Sequence, residues 1–185
     1  VLLEDLVYGM VVQSGNDASV ALAEHVAGSE DAFADMMNQH AEILGMENSY
    51  FINAHGMPQD QHVMSARDLS TLAQALIERF PENYEIYSVP EFTYNGIRQP
   101  NRNTLLFQDR NVDGMKTGFT EAAGYCLVAS ATRDGMRLIA VVMGTDSVNS
   151  RAIEAQKLLT YGFRFYETHE LFTGNEVLSS NEVWS

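Results

Sequence analysis

Cysteine and long apolar runs are nearly absent from this sequence. The single cysteine, Cys126, has no partner for an internal disulfide, so cysteine usage leaves the cellular compartment open. No apolar run approaches the length that spans a bilayer, and Val1 is not followed by the charged and apolar regions of a secretory signal. Neither a transmembrane helix nor a signal peptide is therefore predicted within the 185 residues.

Basic residues are also few, with 11 lysines and arginines against 25 acidic residues and a formal net charge of −14. This charge repels phosphate backbones and anionic lipid headgroups, which argues against a nucleic-acid partner. The five histidines include no His-x-x-x-His pair, so no metal site is predicted, and no cofactor either. A hydrophobic content of 45% is enough for one main domain with its own core.

The first half of the chain is patterned for helices. Apolar residues at helical spacing predict four of them, over 1–12, 17–27, 29–44 and 65–80. Asp17, Ser29 and Ser65 are the predicted N-caps, and Pro81 is predicted to close the fourth helix. The polar stretch 46–64 is predicted to be a loop.

After residue 90 the pattern changes to that of strands. Asn95-Gly96 predicts a tight hairpin, and Arg133-Asp134-Gly135 predicts a second one. Strands are predicted over 112–119, 125–132 and 136–143, followed by a helix over 150–165 that covers one face of the sheet. We therefore predict an α+β domain over 1–166, with an antiparallel sheet packed between helices. Residues 167–185 are predicted to begin a second, β-rich domain.

Lys116-Thr117-Gly118 is the strongest chemical motif in the sequence. A lysine and a threonine on an outer strand, followed by glycine, place a cation, a hydroxyl and accessible backbone around one groove. Such a groove suits an anionic substrate terminus. The alternative is a turn at a strand end with a solvated lysine, and the tripeptide alone leaves both open.

Ser14-Gly15-Asn16 is the second motif, at the junction of the first two predicted helices. Its structural alternative is a C-cap at Gly15 with an N-cap at Asn16 or Asp17. The same Ser-x-Asn pattern occurs at Ser147 and Ser179, where caps and turns are predicted. The first occurrence differs because it separates two helices whose apolar faces would pack together.

Taken together, the two motifs resemble two of the three signatures of penicillin-recognising serine enzymes. The whole chain looks like the D-alanyl-D-alanine carboxypeptidases of Gram-negative bacteria, which are low-molecular-weight penicillin-binding proteins. The likeness implies their transpeptidase-like, β-lactamase-like fold. The segments that carry it are Gln13-Ser14-Gly15-Asn16-Asp17-Ala18, Asn53-Ala54-His55-Gly56-Met57, Ser65-Ala66-Arg67-Asp68, 92–99, Asn101-Arg102-Asn103, 112–118, 127–132 and 162–168.

The resemblance implies a serine-type mechanism. A serine of a Ser-x-x-Lys motif attacks the carbonyl between the two terminal D-alanines of a peptidoglycan stem peptide and leaves an acyl-enzyme for water. β-Lactam antibiotics are mistaken for that substrate. By resemblance, Ser14 relays a proton, Asn16 holds the substrate amide and Lys116 polarises the network. The residues implied to bind the substrate are Thr117 and Arg102 at its carboxylate, Gly118 by close approach, and the backbone N–H of Phe119 as an oxyanion donor.

One family signature does not occur in these 185 residues. The only lysines are Lys116 and Lys157, and Asp113 and Glu154 stand three positions before them, so there is no Ser-x-x-Lys. We expect that motif upstream of Val1, and we expect a C-terminal membrane anchor outside this chain. The resemblance then implies a periplasmic protein associated with the inner membrane, and a segment that is inactive on its own. Phe119 is a lesser departure, since some relatives have histidine or threonine there.

Three alternatives share part of this pattern. A β-lactamase of the same fold commonly carries a Glu-x-x-Leu-Asn loop, and no such string is present. A D,D-endopeptidase has the same motifs and differs in the D-alanine-linked bond that it accepts. A non-catalytic scaffold that only binds wall peptide or a partner is also compatible with the sequence.

Overall fold

The computed structural model describes residues 1–172 and 179–180. The helices are α1 (Leu3–Gln13), α2 (Asn16–Ala27), α3 (Glu30–Ile43), α4 (Ala66–Arg79), α5 (Pro81–Tyr84) and α6 (Val148–Phe165). The strands are β1 (Glu91–Tyr94), β2 (Ile97–Pro100), β3 (Val112–Thr120), β4 (Gly124–Arg133) and β5 (Met136–Thr145). Short 3₁₀ turns cover Glu85–Ser88 and Thr104–Phe107.

Serine side chains cap two of the helices as predicted. Ser29 Oγ accepts the Ala32 N–H at 3.2 Å, and Ser65 Oγ accepts the Asp68 N–H at 3.1 Å. The predicted cap at Asp17 is wrong, because α2 begins one residue earlier and Gly15 is its N-cap. Asp17 lies in the first turn instead, where its carboxylate faces the positive end of the helix dipole.

Side-chain hydrogen bonds from the neighbouring helices hold the predicted loop 46–64 in place. The Asn38 side chain donates to Phe51 O and accepts from Phe51 N, each at 2.8 Å, as a neighbouring strand would. The buried Asp68 carboxylate accepts from Asn48 N and Ser49 Oγ, both at 2.8 Å. Because these bonds start from α3 and α4, the loop is fixed to both helices.

The strands form two antiparallel sheets. β1 pairs with β2 through a turn in which Asn95 (φ 48°) and Gly96 (φ 77°) are both left-handed, as the predicted tight hairpin requires. The second sheet has the order β3-β4-β5, and its β4–β5 turn places Asp134 (φ 50°) and Gly135 (φ 80°) in the same region. β3, which carries Lys116, is therefore an outer strand of this sheet.

Apolar side chains cover both faces of the three-stranded sheet. One face packs against α6, and its fully buried residues include Leu105, Leu127 and Leu159. The other face packs against α4 and α5 through Ala73 and Tyr84. The predicted arrangement of a sheet between helices is confirmed.

Gly114 lies where the start of β3 meets Tyr84. The buried Tyr84 hydroxyl donates to Asp113 Oδ1 at 3.0 Å, and Arg137 pairs with the same carboxylate at 2.7 Å. A Cβ at Gly114 would overlap that hydroxyl and lie 3.0 Å from Tyr84 Cζ. Only a residue without a side chain fits at this position while Tyr84 stays in place.

Gly114→Ala is expected to destabilise the fold by about 2 kcal/mol, because overpacking a filled core forces side chains and backbone to move. Urea denaturation followed by circular dichroism measures the change. Gly118→Ala is the matched control on the same strand, since its added Cβ would meet only Cys126 Cβ, at 3.8 Å. Equal losses of stability in the two variants would show that the Tyr84 side chain moves aside at no cost.

Among residues 1–172 and 179–180, no helix is long and apolar enough to cross a membrane. After α6 ends at Phe165, the described residues up to 172 contain no strand. Residues 173–178 and 181–185 lie outside the described residues. The second β-rich domain over 167–185 therefore stays a prediction.

Candidate active site

Ser14 ends α1 in a left-handed conformation, with φ 56° and ψ 44°. Its N–H donates to Met10 O at 3.1 Å, which closes the last turn of the helix. A glycine normally occupies such a position, and the structural alternative for this motif placed the C-cap at Gly15. That placement is wrong, because Gly15 has an ordinary φ of −65°. The conformation is unfavourable for serine by about 1 kcal/mol or more, and it is a mark of functional sites.

The Ser14 side chain meets Lys116 on β3. Lys116 Nζ donates to Ser14 Oγ and also to Thr117 O at 3.0 Å. The two residues are 102 positions apart in sequence, so the fold alone brings them together. The two motifs that the resemblance assigns to one site are therefore in contact, while the catalytic roles of Ser14 and Lys116 stay a prediction.

The Lys116 ammonium has an unusually low proton affinity. Burial, followed by the positive charges of Arg102 and Arg151, lowers its pKa from 10.5 to about 8. In the described part of the chain, no carboxylate forms an ion pair with Lys116. A lysine of this kind exchanges its proton near neutral pH, and it forms a hydrogen-bonded pair with a hydroxyl.

Arg151, on α6, is a site residue that the sequence analysis missed. Only 6% of it is exposed, and its guanidinium donates to Gly118 O at 3.1 Å and to Arg102 O at 3.4 Å. The guanidinium also lies 5.7 Å from the centre of the Tyr125 ring. Burial lowers the pKa of this arginine as well. Its sequence neighbourhood predicted only a helix that covers the sheet, and gave no signal of a charge beside Gly118.

The other predicted site residues differ in their exposure. Arg102 is exposed on the segment after β2, and within residues 1–172 no carboxylate pairs with its guanidinium. Thr117 is buried, whereas Gly118 is open to solvent and Phe119 is 53% exposed and packs on Tyr125 with ring centres 4.2 Å apart. Asn16 opens α2 and is exposed.

Three cations, Lys116, Arg102 and Arg151, thus lie near one another, and within the described residues none of them forms an ion pair with a carboxylate. Like charges at close range are unfavourable unless an anion joins them, and here the two arginines add to burial, the larger cause, in lowering the pKa of Lys116. The arrangement therefore suits an anionic ligand beside a hydroxyl–ammonium pair that can pass a proton. Within the described residues, no group of three His, Cys, Asp or Glu side chains is placed to hold a metal ion.

Known proteins are similar to this chain in both sequence and fold. The family model for D-alanyl-D-alanine carboxypeptidase matches residues 1–147. The D-alanyl-D-alanine carboxypeptidase DacA of Escherichia coli K12 is 49% identical over 183 residues, which are 98% of this chain and 45% of the E. coli protein. The chain spans about half the length of the curated relatives it matches.

Two solved structures carry the fold. Penicillin-binding protein 5 from Haemophilus influenzae superposes with a TM-score of 0.85 at 48% identity, covering 87% of this chain and 47% of that one. Penicillin-binding protein D2 from Listeria monocytogenes, in its ampicillin-bound form, gives 0.81 at 35% identity over 87% of this chain and 67% of that one. The predicted penicillin-binding, transpeptidase-like fold is confirmed. The chain belongs to the D-alanyl-D-alanine carboxypeptidase family.

Proposed function

We propose that this chain forms the Ser-x-Asn and Lys-Thr-Gly walls of the substrate groove in a serine-type D,D-carboxypeptidase. The observation that carries the proposal is the contact between Ser14 and Lys116, with the pKa of Lys116 lowered to about 8 and two arginines beside it. This is a proton-exchanging pair next to an anion site. A peptide that ends in a free carboxylate matches both features.

The residues of the groove have different roles in the reaction. The Thr117 hydroxyl and the Arg102 and Arg151 guanidinium groups receive the terminal carboxylate of a peptidoglycan stem peptide. A serine hydroxyl of the family's Ser-x-x-Lys motif, which these residues do not contain, attacks the preceding carbonyl. As the peptide bond breaks, the Ser14–Lys116 pair delivers a proton to the departing D-alanine nitrogen. Water then hydrolyses the acyl ester and regenerates the serine.

The remaining groove residues orient the substrate. Asn16 lies two residues from Ser14 and is exposed at the start of α2, where its amide can bond the substrate peptide. Gly118 and Phe119 continue the open edge of β3, so their backbone can approach the reacting carbonyl, with the Phe119 N–H as oxyanion donor. β-Lactam antibiotics present a carboxylate beside a strained amide and are expected to enter the same groove. The ampicillin-bound state of the Listeria relative supports this.

The substrate also fixes where the protein works. Peptidoglycan lies outside the inner membrane, so we place the protein in the periplasm, in association with the inner membrane. Its partners are then the stem peptide and β-lactams. The relatives reported above are carboxypeptidases and penicillin-binding proteins, which favours this activity over an endopeptidase or a non-catalytic scaffold.

The proposal can be tested in a chimera with a full-length relative, so that no new chain ends have to be chosen. The 183 matched residues of the E. coli DacA protein are replaced by this chain, and D-alanine release from a stem pentapeptide is measured against cleavage of a cross-linked dimer. We expect release of D-alanine. Ser14→Ala and Lys116→Ala in the chimera should each reduce acylation about 100-fold or more, as loss of a positioned proton-transfer group does.

Matched controls are available for both variants. Ser19→Ala removes a hydroxyl that donates to Gly15 O at 3.0 Å and does not touch Lys116. Lys157→Ala removes the other lysine, which pairs with Glu154 on the surface of α6. Full activity of the Lys116→Ala chimera would refute the proposal. Preferential cleavage of the dimer would establish the endopeptidase in its place.

A further inference from the structure

The segment 100–103 contacts three parts of the candidate site. Pro100 O accepts from the Gln13 side chain at 2.6 Å, and the Arg102 N–H donates to Val12 O at 3.4 Å, so the segment is joined to the end of α1. Arg102 O accepts from Arg151 on α6, at 3.4 Å. The third contact runs from Asn103 to β3.

Asn103 is fully buried, and both ends of its amide are used. Its Nδ2 donates to Gly114 O at 3.0 Å, and its Oδ1 accepts the Leu105 N–H at 3.2 Å. Its own N–H donates to Asn101 Oδ1 at 2.8 Å. Asn103 directly follows Arg102, and Gly114 lies two residues before Lys116. One side chain therefore joins the backbone that carries one cation to the backbone that carries the other.

Two contacts bracket Lys116 along β3. Asn103 holds Gly114 O on one side, and Arg151 holds Gly118 O on the other, at 3.1 Å. Arg151 is charged, so replacing it changes both the position and the electrostatics of Lys116. Asn103 is neutral, so replacing it removes no charge near the Lys116 ammonium and can act only by moving neighbouring groups or by admitting water. This difference makes Asn103 the residue on which positioning can be tested.

We infer that Asn103 is a positioning residue of the candidate site, whose bond to Gly114 O sets the separation between Arg102 and Lys116. The inference rests on the proposed function, because this spacing matters when Arg102 receives the substrate carboxylate while Lys116, paired with Ser14, passes a proton to the same substrate. The Asn103 side chain is fully buried, so its role is to hold neighbouring backbone in place. A structural role alone would stabilise the fold and leave the coupling between the two charges unchanged.

The chain offers a direct readout, since Lys116 and Lys157 are its only lysines. With lysine labelled by ¹³C and ¹⁵N, NMR titration of the 185-residue chain follows the pKa of each ammonium separately. Lys157 is exposed and serves as the internal reference. Arg102→Gln removes a neighbouring positive charge and is expected to raise the Lys116 pKa. Asn103→Ala should raise it in the same direction by a smaller amount.

The double variant Arg102→Gln/Asn103→Ala distinguishes positioning of Arg102 from simple exposure of Lys116 to water. If Asn103 acts by placing Arg102, adding Asn103→Ala to Arg102→Gln produces no further rise in the Lys116 pKa. An additive rise would mean that Asn103→Ala merely exposes Lys116 to water, and it would overturn the inference, as would an unchanged pKa in Asn103→Ala. The measurement needs neither substrate nor turnover, so an inactive chimera would leave its result standing.

Two further variants separate positioning from loss of stability. Asn38→Ala removes another amide clamp, the one on Phe51, and is expected to destabilise the chain without moving the Lys116 pKa. An equal rise in Asn38→Ala would assign the effect to general loosening and refute the inference. Asn103→Ser keeps an oxygen acceptor for Leu105 N but is too short to reach Gly114 O. It repeats the test if Asn103→Ala does not fold.

Discussion

The 185-residue chain is expected to give no labelled band with a fluorescent penicillin and to release no D-alanine from a stem pentapeptide. Acylation needs an attacking hydroxyl and its lysine base, and no Ser-x-x-Lys occurs in the sequence. Ser14 and Lys116 are hydrogen-bonded to each other, which suits them to assist a nucleophile. Loss of the nucleophile unit lowers turnover by about a millionfold, far below detection in a gel assay.

Full-length E. coli DacA, labelled in parallel, is the positive control for this experiment. A denatured sample of the 185-residue chain measures non-specific labelling. A band from the folded chain that disappears in Ser14→Ala would show that Ser14 itself is acylated. The division of roles between Ser14 and a separate nucleophile would then be wrong.

Lys116→Met is expected to stabilise the chain at pH 7 by up to about 3 kcal/mol, which is the difference between a pKa of about 8 and one of 10.5 expressed as free energy. The folded state binds the Lys116 proton more weakly than the unfolded chain. The charged ammonium therefore opposes folding at every pH below 8. As pH rises from about 8 to 10.5, the unfolded chain loses its proton too, and the penalty disappears.

Urea denaturation of both proteins at pH 7, 9 and 10.5 measures this dependence. The advantage of the variant should shrink steadily over the series. Lys157→Met is the control, because its exposed pair with Glu154 contributes less than about 1 kcal/mol. A Lys116→Met variant that is less stable than the parent at pH 7 would mean that the bonds of Lys116 outweigh its burial.

The elements of the fold follow closely from local sequence patterns. The period of apolar residues predicted the long helices and the strands of the second sheet, though not the short α5, and Asn95-Gly96 predicted its hairpin, because these features depend on neighbours along the chain. Ser14 and Lys116 were linked through the resemblance of their motifs to a known family. Their surroundings supplied no local pattern from which a contact across 102 positions could be deduced.

What the sequence did not reveal are features that depend on tertiary contacts. Arg151 reads as an ordinary residue on the first turn of a helix, and only the folded chain shows it buried beside Gly118. The left-handed residue at the end of α1 is Ser14 and not the adjacent Gly15, although local propensity favours glycine in that conformation. The presence of serine at this position is explained by its contact with Lys116, a residue in a distant part of the chain.

The long separation between Ser14 and Lys116 has a consequence for how the chain folds. Contacts between residues far apart in sequence require the closure of long loops, and chains dominated by them fold slowly. Helices α1 and α2 and the β4–β5 hairpin can form from neighbours alone, but the Ser14–Lys116 pair cannot. A partly folded chain would therefore hold Lys116 in water, with the proton affinity of an ordinary lysine. The NMR signal of this one ammonium would then report the arrival of the native topology during refolding.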